Sequence, residues 1–312
     1  MPAPQQFLTS LSLTVNRRRG QAVADIGSNA LKAIKKGQSK WGHHRRRSGP
    51  HPDADSFIRH KELPALVQGA QFGADSQPTL LLAVGGDVIK PLFEASKGSI
   101  PIVGGVSDSP IRSGIAVSLA RPSKNFTGIT FLTDEMAAKR IELLKQVAPN
   151  VRKVAVIFNP QHFDDEVTFA RRGAESLDVE LTTHPINKIA DLDAALQGVE
   201  ASRADGLLVI SSRLTGIVAA KIAQHGQERR LPVVASWREF TDSGALLSYG
   251  PSRTFEAKRL VGYVQRVLNG EKPADLPIEQ PVKFELVINL KTAKVLCRAR
   301  QRGCHVEQTY RT

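Results

Sequence analysis

Residues 79–106 read TLLLAVGGDVIKPLFEASKGSIPIVGGV, and this segment decides the fold class. Its two apolar runs, "TLLLAVGG" and "IPIVGGV", are short and end in glycine, as strands do. Between them "DVIKPLFEASKGS" has helical length despite Pro91. A strand, a helix and a second strand in that order form a parallel βαβ unit, because parallel neighbours need a long crossover. Neither run alternates with polar residues, so both faces of the sheet must be covered by helices.

The pattern repeats downstream. "TDEMAAKRIELLKQVAP" reads as a helix with Thr133 as N-cap, acids in the first turn and Pro149 as its stop. "KVAVIFNP", "VELTTHPI", "GLLVISS" and "LPVVASW" are strand candidates, with helix-length segments around 163–177, 190–202 and 215–230 between them. "GALLSYG" adds a strand, 252–269 a helix stopped by Gly270, "EKPADLPIEQP" a connector and "KFELVINL" a last strand. This is too much for one sheet, and 312 residues suit about two lobes. The expectation is an α/β protein with two doubly wound, Rossmann-like lobes. The first takes residues 63–130 and 247–270, the second 131–246 and 278–296.

Hydrophobic residues make up 41% of the chain and charged residues 23%, near the globular average. No apolar run approaches the roughly 18 residues that a membrane helix needs. The formal charge of +13 resides at the ends, with +8 in residues 1–62, +5 in residues 291–312 and a neutral body between them. The basicity therefore gives no reason to expect nucleic acid on the body. Residues 1–62 show no sustained period and read as a poorly ordered basic segment, and 297–312 as a basic tail. "FLTSLSLTV" is too short and too polar for a secretion signal. Cys297 and Cys304 lie in the tail, so neither a disulfide framework nor a four-cysteine zinc site is expected, and no cofactor or metal is called for.

Ligands of open parallel sheets bind beyond the carboxyl ends of the strands, where loops converge and helix N-termini present free N–H groups. The candidates stand at or just past the end of each run: Gly85 and Gly86; Ser107, Asp108 and Ser109; Asn159; Ser211; Trp237 and Glu239; Tyr249. Thr127 joins them from "NFTGIT". Each has a plainer reading, the glycines and Asn159-Pro160 as turns, Trp237 as a core ring, Arg238 with Glu239 as a solvated pair. Their joint placement favours binding. Catalysis is harder to assemble: there is no Walker A loop, Gly-x-Ser-x-Gly elbow or His-Glu-x-x-His. Of the body histidines only His162 follows a strand end, and Asp164, Asp165 and Glu166 beside it read as a helix's first turn. The chain is not expected to be an enzyme.

"VSLARPSKNFTGITFLTDEMAAKRIELLKQVAP", "VAVIFNP", "ASWREFTDSGALLSYG" and "VLNGEKPADLPIEQPVKFELVINLKTAKVL" resemble, in order, the ABC-transporter substrate-binding proteins whose relatives bind tryptophan, tyrosine or phenylalanine. The resemblance covers about Leu63 to Leu296. It implies a type I periplasmic-binding-protein fold with three interlobe crossovers, hinge closure and an extracytoplasmic location. Three features depart from the family. Ser109-Pro110 stands where relatives have Asp-Pro, with Asp108 one place earlier. Residues 1–62 lack the usual signal, strand and helix, so the first lobe is expected to miss a strand. The end after "KTAKVL" is basic where relatives are apolar. Both abnormal ends are expected to come from translation in a shifted frame or from another rearrangement.

The expected function is solute capture: a small ligand, an aromatic or branched-chain amino acid or related carboxylate, held in the interlobe cleft and delivered to ABC permease subunits in the membrane. Rings would cover its apolar part while an acid meets an ammonium. The alternative is the ligand-sensing domain of a transcription regulator, which shares the fold. "AVADIGSNALKAIKKG" offers no convincing helix-turn-helix for it.

Overall fold

The computed structural model describes residues 12–16, 21–23, 79–122, 124–162 and 165–299. These form two six-stranded sheets, each with helices packed on it. The first sheet is built on β3 (Leu80–Val84), β4 (Ile102–Val106) and β5 (Phe126–Thr130), all parallel. Helix α1 (Gly86–Ser96) connects β3 to β4, as the opening segment requires. Along these strands successive residues turn to opposite faces. Leu81, Ala83, Ile102 and Phe126 meet Ile89 and Leu92 of α1, while Leu80, Leu82, Val103 and Ile129 meet Leu260, Tyr263 and Val264 of a later helix. Two buried faces explain the unbroken apolar runs.

Helix α2 (Thr133–Val147) opens the second lobe. Its sheet continues as β6 (Lys153–Phe158), α3 (Glu166–Glu175), β7 (Glu180–Pro185), α4 (Leu192–Ala201) and β8 (Gly206–Val209). Then come α5 (Arg213–Ile217), α6 (Ala219–Glu228), β9 (Val233–Ala235), α7 (Arg238–Asp242) and β10 (Leu247–Pro251). The helix expected at 215–230 is thus broken at Val218. Helix α8 (Arg253–Leu268) returns to the first lobe, β11 (Ile278–Glu279) joins its sheet beside β5, and β12 (Phe284–Ile288) with α9 (Leu290–Ala299) completes the second. With β1 (Ser12–Asn16) and β2 (Gln21–Val23) at its far edge, one sheet has strand order β11-β5-β4-β3-β1-β2, and the other β12-β10-β9-β8-β6-β7. The chain therefore crosses between lobes at 131–132, at 252 and at 280–283.

Four expectations need correction. "GALLSYG" was expected in the first lobe, yet β10 pairs parallel with β9 and antiparallel with β12. The reason is its apolar side chains, since Leu246 and Leu247 are buried in the second lobe's core, so the crossing comes after Pro251. Ile278 and Glu279, expected in the second lobe, pair with Gly128 and Ile129 of the first. Thr133 does not cap α2: Leu132 precedes the helix with φ 50°, and the Thr133 hydroxyl donates to Ser107 O at 3.2 Å. Within the flank read as irregular, β1 (Ser12–Asn16) and β2 (Gln21–Val23) are strands, β1 antiparallel to β3. Leu13 and Val15 alternate with polar residues there, a period of two over a stretch short enough to be missed. The rest of 1–62 and 300–312 lies outside the described residues.

Buried Arg140 organises the second lobe. Its Nη1 donates to Glu166 Oε2 at 2.6 Å and its Nε to Tyr249 O at 2.9 Å, and neither side chain of the ion pair is exposed to solvent. One guanidinium thus joins α2, the first turn of α3 and the strand that leads into the second crossing. Removing one partner of such a pair strands a charge in the core. Glu166→Gln should lower stability by about 3 kcal/mol or more in urea unfolding, while a surface control, Lys139→Gln, stays within about 0.5 kcal/mol.

Two glycines give a second expectation. Gly128 has φ 142°, and a methyl group there would collide with the Gly104 carbonyl of the neighbouring strand. Gly262 lies inside α8 with open space where a Cβ would go. Gly128→Ala should cost roughly 3 kcal/mol, whereas Gly262→Ala should gain about 0.5–1 kcal/mol through helix propensity. Opposite shifts of the unfolding midpoint check both.

Candidate functional site

The loops after β4 and β5 meet the start of α2 at the first crossing. There they enclose a cavity of about 220 Å³. Ser107, Ser109, Ile111, Arg112 and Thr130 line it from the first lobe, Leu132 from the crossing, Asp134 and Glu135 from the second lobe, and Gln280 from the third crossing. This is the carboxyl end of the parallel strands, where a doubly wound sheet places its ligand. The size is below the roughly 300–1,000 Å³ of drug-sized sites and suits a compact solute.

The electrostatics centre on Arg112. Its Nη2 lies 2.7 Å from Asp108 Oδ1 and 2.5 Å from Asp134 Oδ2, and its Nη1 lies 2.7 Å from Asp165 Oδ2. The hydrogen bond to Asp108, with that to Asp134, holds the guanidinium pKa above its usual value, against the opposing effect of burial. Asp108 Oδ1 also accepts from Ser109 N at 2.5 Å, and Asp134 Oδ1 from Asp165 N at 3.0 Å. Three carboxylates around one guanidinium leave the cluster at net −2 when all are ionised. Its chemistry favours cationic groups.

A second cluster sits at the hinge. The Trp237 ring packs against the cores of both lobes. It meets Phe131 edge-on, with centroids 5.4 Å apart, and carries the Arg253 guanidinium 5.5 Å from its centroid. Arg253 in turn donates to Glu239 Oε1 at 2.9 Å. Phe131 belongs to the first crossing and Arg253 comes just after the second, so the stack ties both linkers to the second lobe. The third linker is held by Arg259, which pairs with Glu279 and Glu256 and donates to Gln280 O at 3.0 Å. Burial raises the pKa of Glu256.

The structure divides the expected residues into groups. Ser107 and Ser109 line the cavity, and Asp108 holds its arginine. Trp237 and Glu239 stand together at the hinge, but the Glu239 carboxylate, expected to face a ligand cation, is engaged by Arg253. Ser211 Oγ accepts from Ser236 N at 3.3 Å beyond β8. Tyr249 stacks on Phe284, 6.1 Å between centroids, at the edge of the second sheet. Gly85 precedes α1, of which Gly86 is the first residue, and its N–H donates to Gly105 O at 2.8 Å. Asn159 Oδ1 accepts from Gln161 N at 2.9 Å, the turn reading of that residue. Thr127 is fully buried inside β5 and spends its hydroxyl on the carbonyls of Leu276 and Pro277, so it braces the sheet. His162 is also buried. Sequence reasoning missed Arg112, Asp134 and Gln280. Arg112 was within reach, four residues after Asp108 in the same strand-end loop.

The profile of the family described as ABC transporter substrate binding protein matches residues 57–298. A "Tyrosine-binding protein" of Clostridioides difficile (strain R20291) is 23% identical over 238 residues, which is 75% of this chain and 68% of that protein. Among solved structures, a conserved domain protein from Vibrio cholerae superposes with TM-score 0.72 at 22% identity, covering 86% of this chain and 90% of its own. An ABC domain in complex with L-Trp from Streptococcus pneumonia gives 0.71 at 19% identity, covering 86% and 89%. With the two-lobed fold, these matches show that the chain belongs to the ABC transporter substrate-binding protein family.

Proposed function

We propose that this chain captures a single amino acid, with tyrosine and tryptophan the first candidates, in the cavity between its lobes and presents it to an ABC permease outside the cytoplasm. The observation that carries the reading is the acidic cavity at the strand ends, lined from both lobes and by two of the three crossings. The names of the relatives support the ligand class. Among the described residues no helix is long and apolar enough to cross a membrane.

The residues assign themselves roles by their chemistry. Asp108 and Asp134 receive the ligand ammonium by exchanging part of their hold on Arg112, a trade between charge-assisted hydrogen bonds. The hydroxyls of Ser107, Ser109 and Thr130 meet the carboxylate. Closure about the three linkers then excludes water, which strengthens each of these contacts. No bond is made or broken. Affinity comes from differential contact with the closed form.

Trp237 is placed to report this. Because its ring touches both lobes, closure should shift its emission, with Trp41 replaced by phenylalanine to remove the other signal. L-tyrosine, L-tryptophan and L-leucine are the probes for Trp237, with calorimetry for the tryptophan titration. Asp108→Asn should weaken amino-acid binding about tenfold or more while hardly affecting the matching des-amino carboxylate, since only the ammonium contact is lost. If no amino acid binds at millimolar concentration while the protein is folded, or if Asp108→Asn weakens the des-amino compound equally, the assignment is wrong.

A further inference from the structure

We propose that Arg112 is an interlobe latch that draws the two lobes together in the absence of any ligand. It is carried by the first lobe, in the loop after β4, yet two of its three carboxylate partners belong to the second: Asp134 in the first turn of α2 and Asp165 at the start of α3. Asp134 lies only two residues past the first crossing, so chain connectivity keeps it near. Asp165 arrives from the connection after β6, and its 2.7 Å contact with Arg112 exists only while the lobes are close.

Isolated surface ion pairs contribute little, because two long side chains must be immobilised and water competes. This one differs in three respects. Asp108, four residues earlier in the same loop, already holds the guanidinium at 2.7 Å, so reaching across costs little further side-chain entropy. Asp134 is 5% exposed, which limits screening. The Asp134 carboxylate also accepts the Asp165 N–H, so the two second-lobe partners are oriented by each other. Sign matters as much as strength. Without the guanidinium, Asp108 of one lobe faces Asp134 and Asp165 of the other, and attraction across the cleft turns into repulsion.

That reversal gives the latch a signature that a merely structural arginine would lack. In the intact protein, Asp165→Asn removes an attraction and should favour opening. In an Arg112→Gln background, the same change removes a repulsion and should favour closing. The test needs no ligand, so its outcome is independent of the solute-binding reading. Residues 117 and 217, exposed and one in each lobe, are changed to cysteine in a chain with Cys297→Ser and Cys304→Ser. The distribution of distances between attached spin labels is then measured in the ligand-free protein.

At low ionic strength the ratio of short to long distances should fall about tenfold in Arg112→Gln and several-fold in Asp165→Asn, and high salt should move the intact chain in the same direction. Arg112→Lys, which keeps the charge but loses the fork, should lie between. Unfolding midpoints close to that of the parent show that the variants are folded, as the half-exposed Arg112 leads one to expect. The proposal is overturned if Arg112→Gln leaves the distribution unchanged, or if Asp165→Asn shifts it in the same direction in both backgrounds.

Discussion

A charged side chain with no solvent exposure holds this architecture together. Arg140 has left water entirely, and such a transfer is tolerable only when the charge is paired and hydrogen-bonded in a fixed geometry. Its partners are Glu166 and the carbonyl of Tyr249. Between them they set where α3 begins relative to α2 and where the last parallel strand runs before the chain leaves the lobe. Asp165 stands at the start of α3 and Asp134 in the first turn of α2, so the acids that face the cleft are aimed by a pair buried behind them. Changing the core pair would therefore alter the cleft without touching any residue that lines it.

The same logic explains how rings and charges came to gather in "SWREF" and "SYGPSR". Trp237 packs against the cores of both lobes at the point where the linkers cross. Arg253 covers the ring's face and is anchored by Glu239. The ring is thus part of the joint between the lobes.

Much of this was legible in the sequence because burial writes itself as pattern. "LLLAV", "VAVIF" and "LLVI" are apolar at every position, and only a strand covered on both sides requires that. Ser107, Asp108 and Ser109 could be picked out because strand ends point to ligands in doubly wound sheets. What stayed hidden was of a different kind. The two-residue strand at Ile278 sits between prolines in "LPIEQP" and carries no periodicity of its own, being fixed by pairing with Gly128 and by the Tyr263 hydroxyl on Pro277 O. Asp134 looked like an ordinary first-turn acid, and its reach to Arg112 depends on a meeting of lobes that no local window contains. Gln280 belongs to the cavity only because the third crossing passes beside it.

The three crossings also bear on how the protein comes into being. β11 closes the edge of a sheet by pairing with β5, made some 150 residues earlier, and Thr127 waits across 149 residues for the Leu276 carbonyl that receives its hydroxyl. During synthesis the first three parallel strands emerge with one face uncovered, since α8, which packs on that face, lies beyond most of the second lobe. The nascent first lobe must therefore remain incomplete while the second assembles, with leucines and valines of its sheet transiently exposed. Contacts this distant in sequence slow folding.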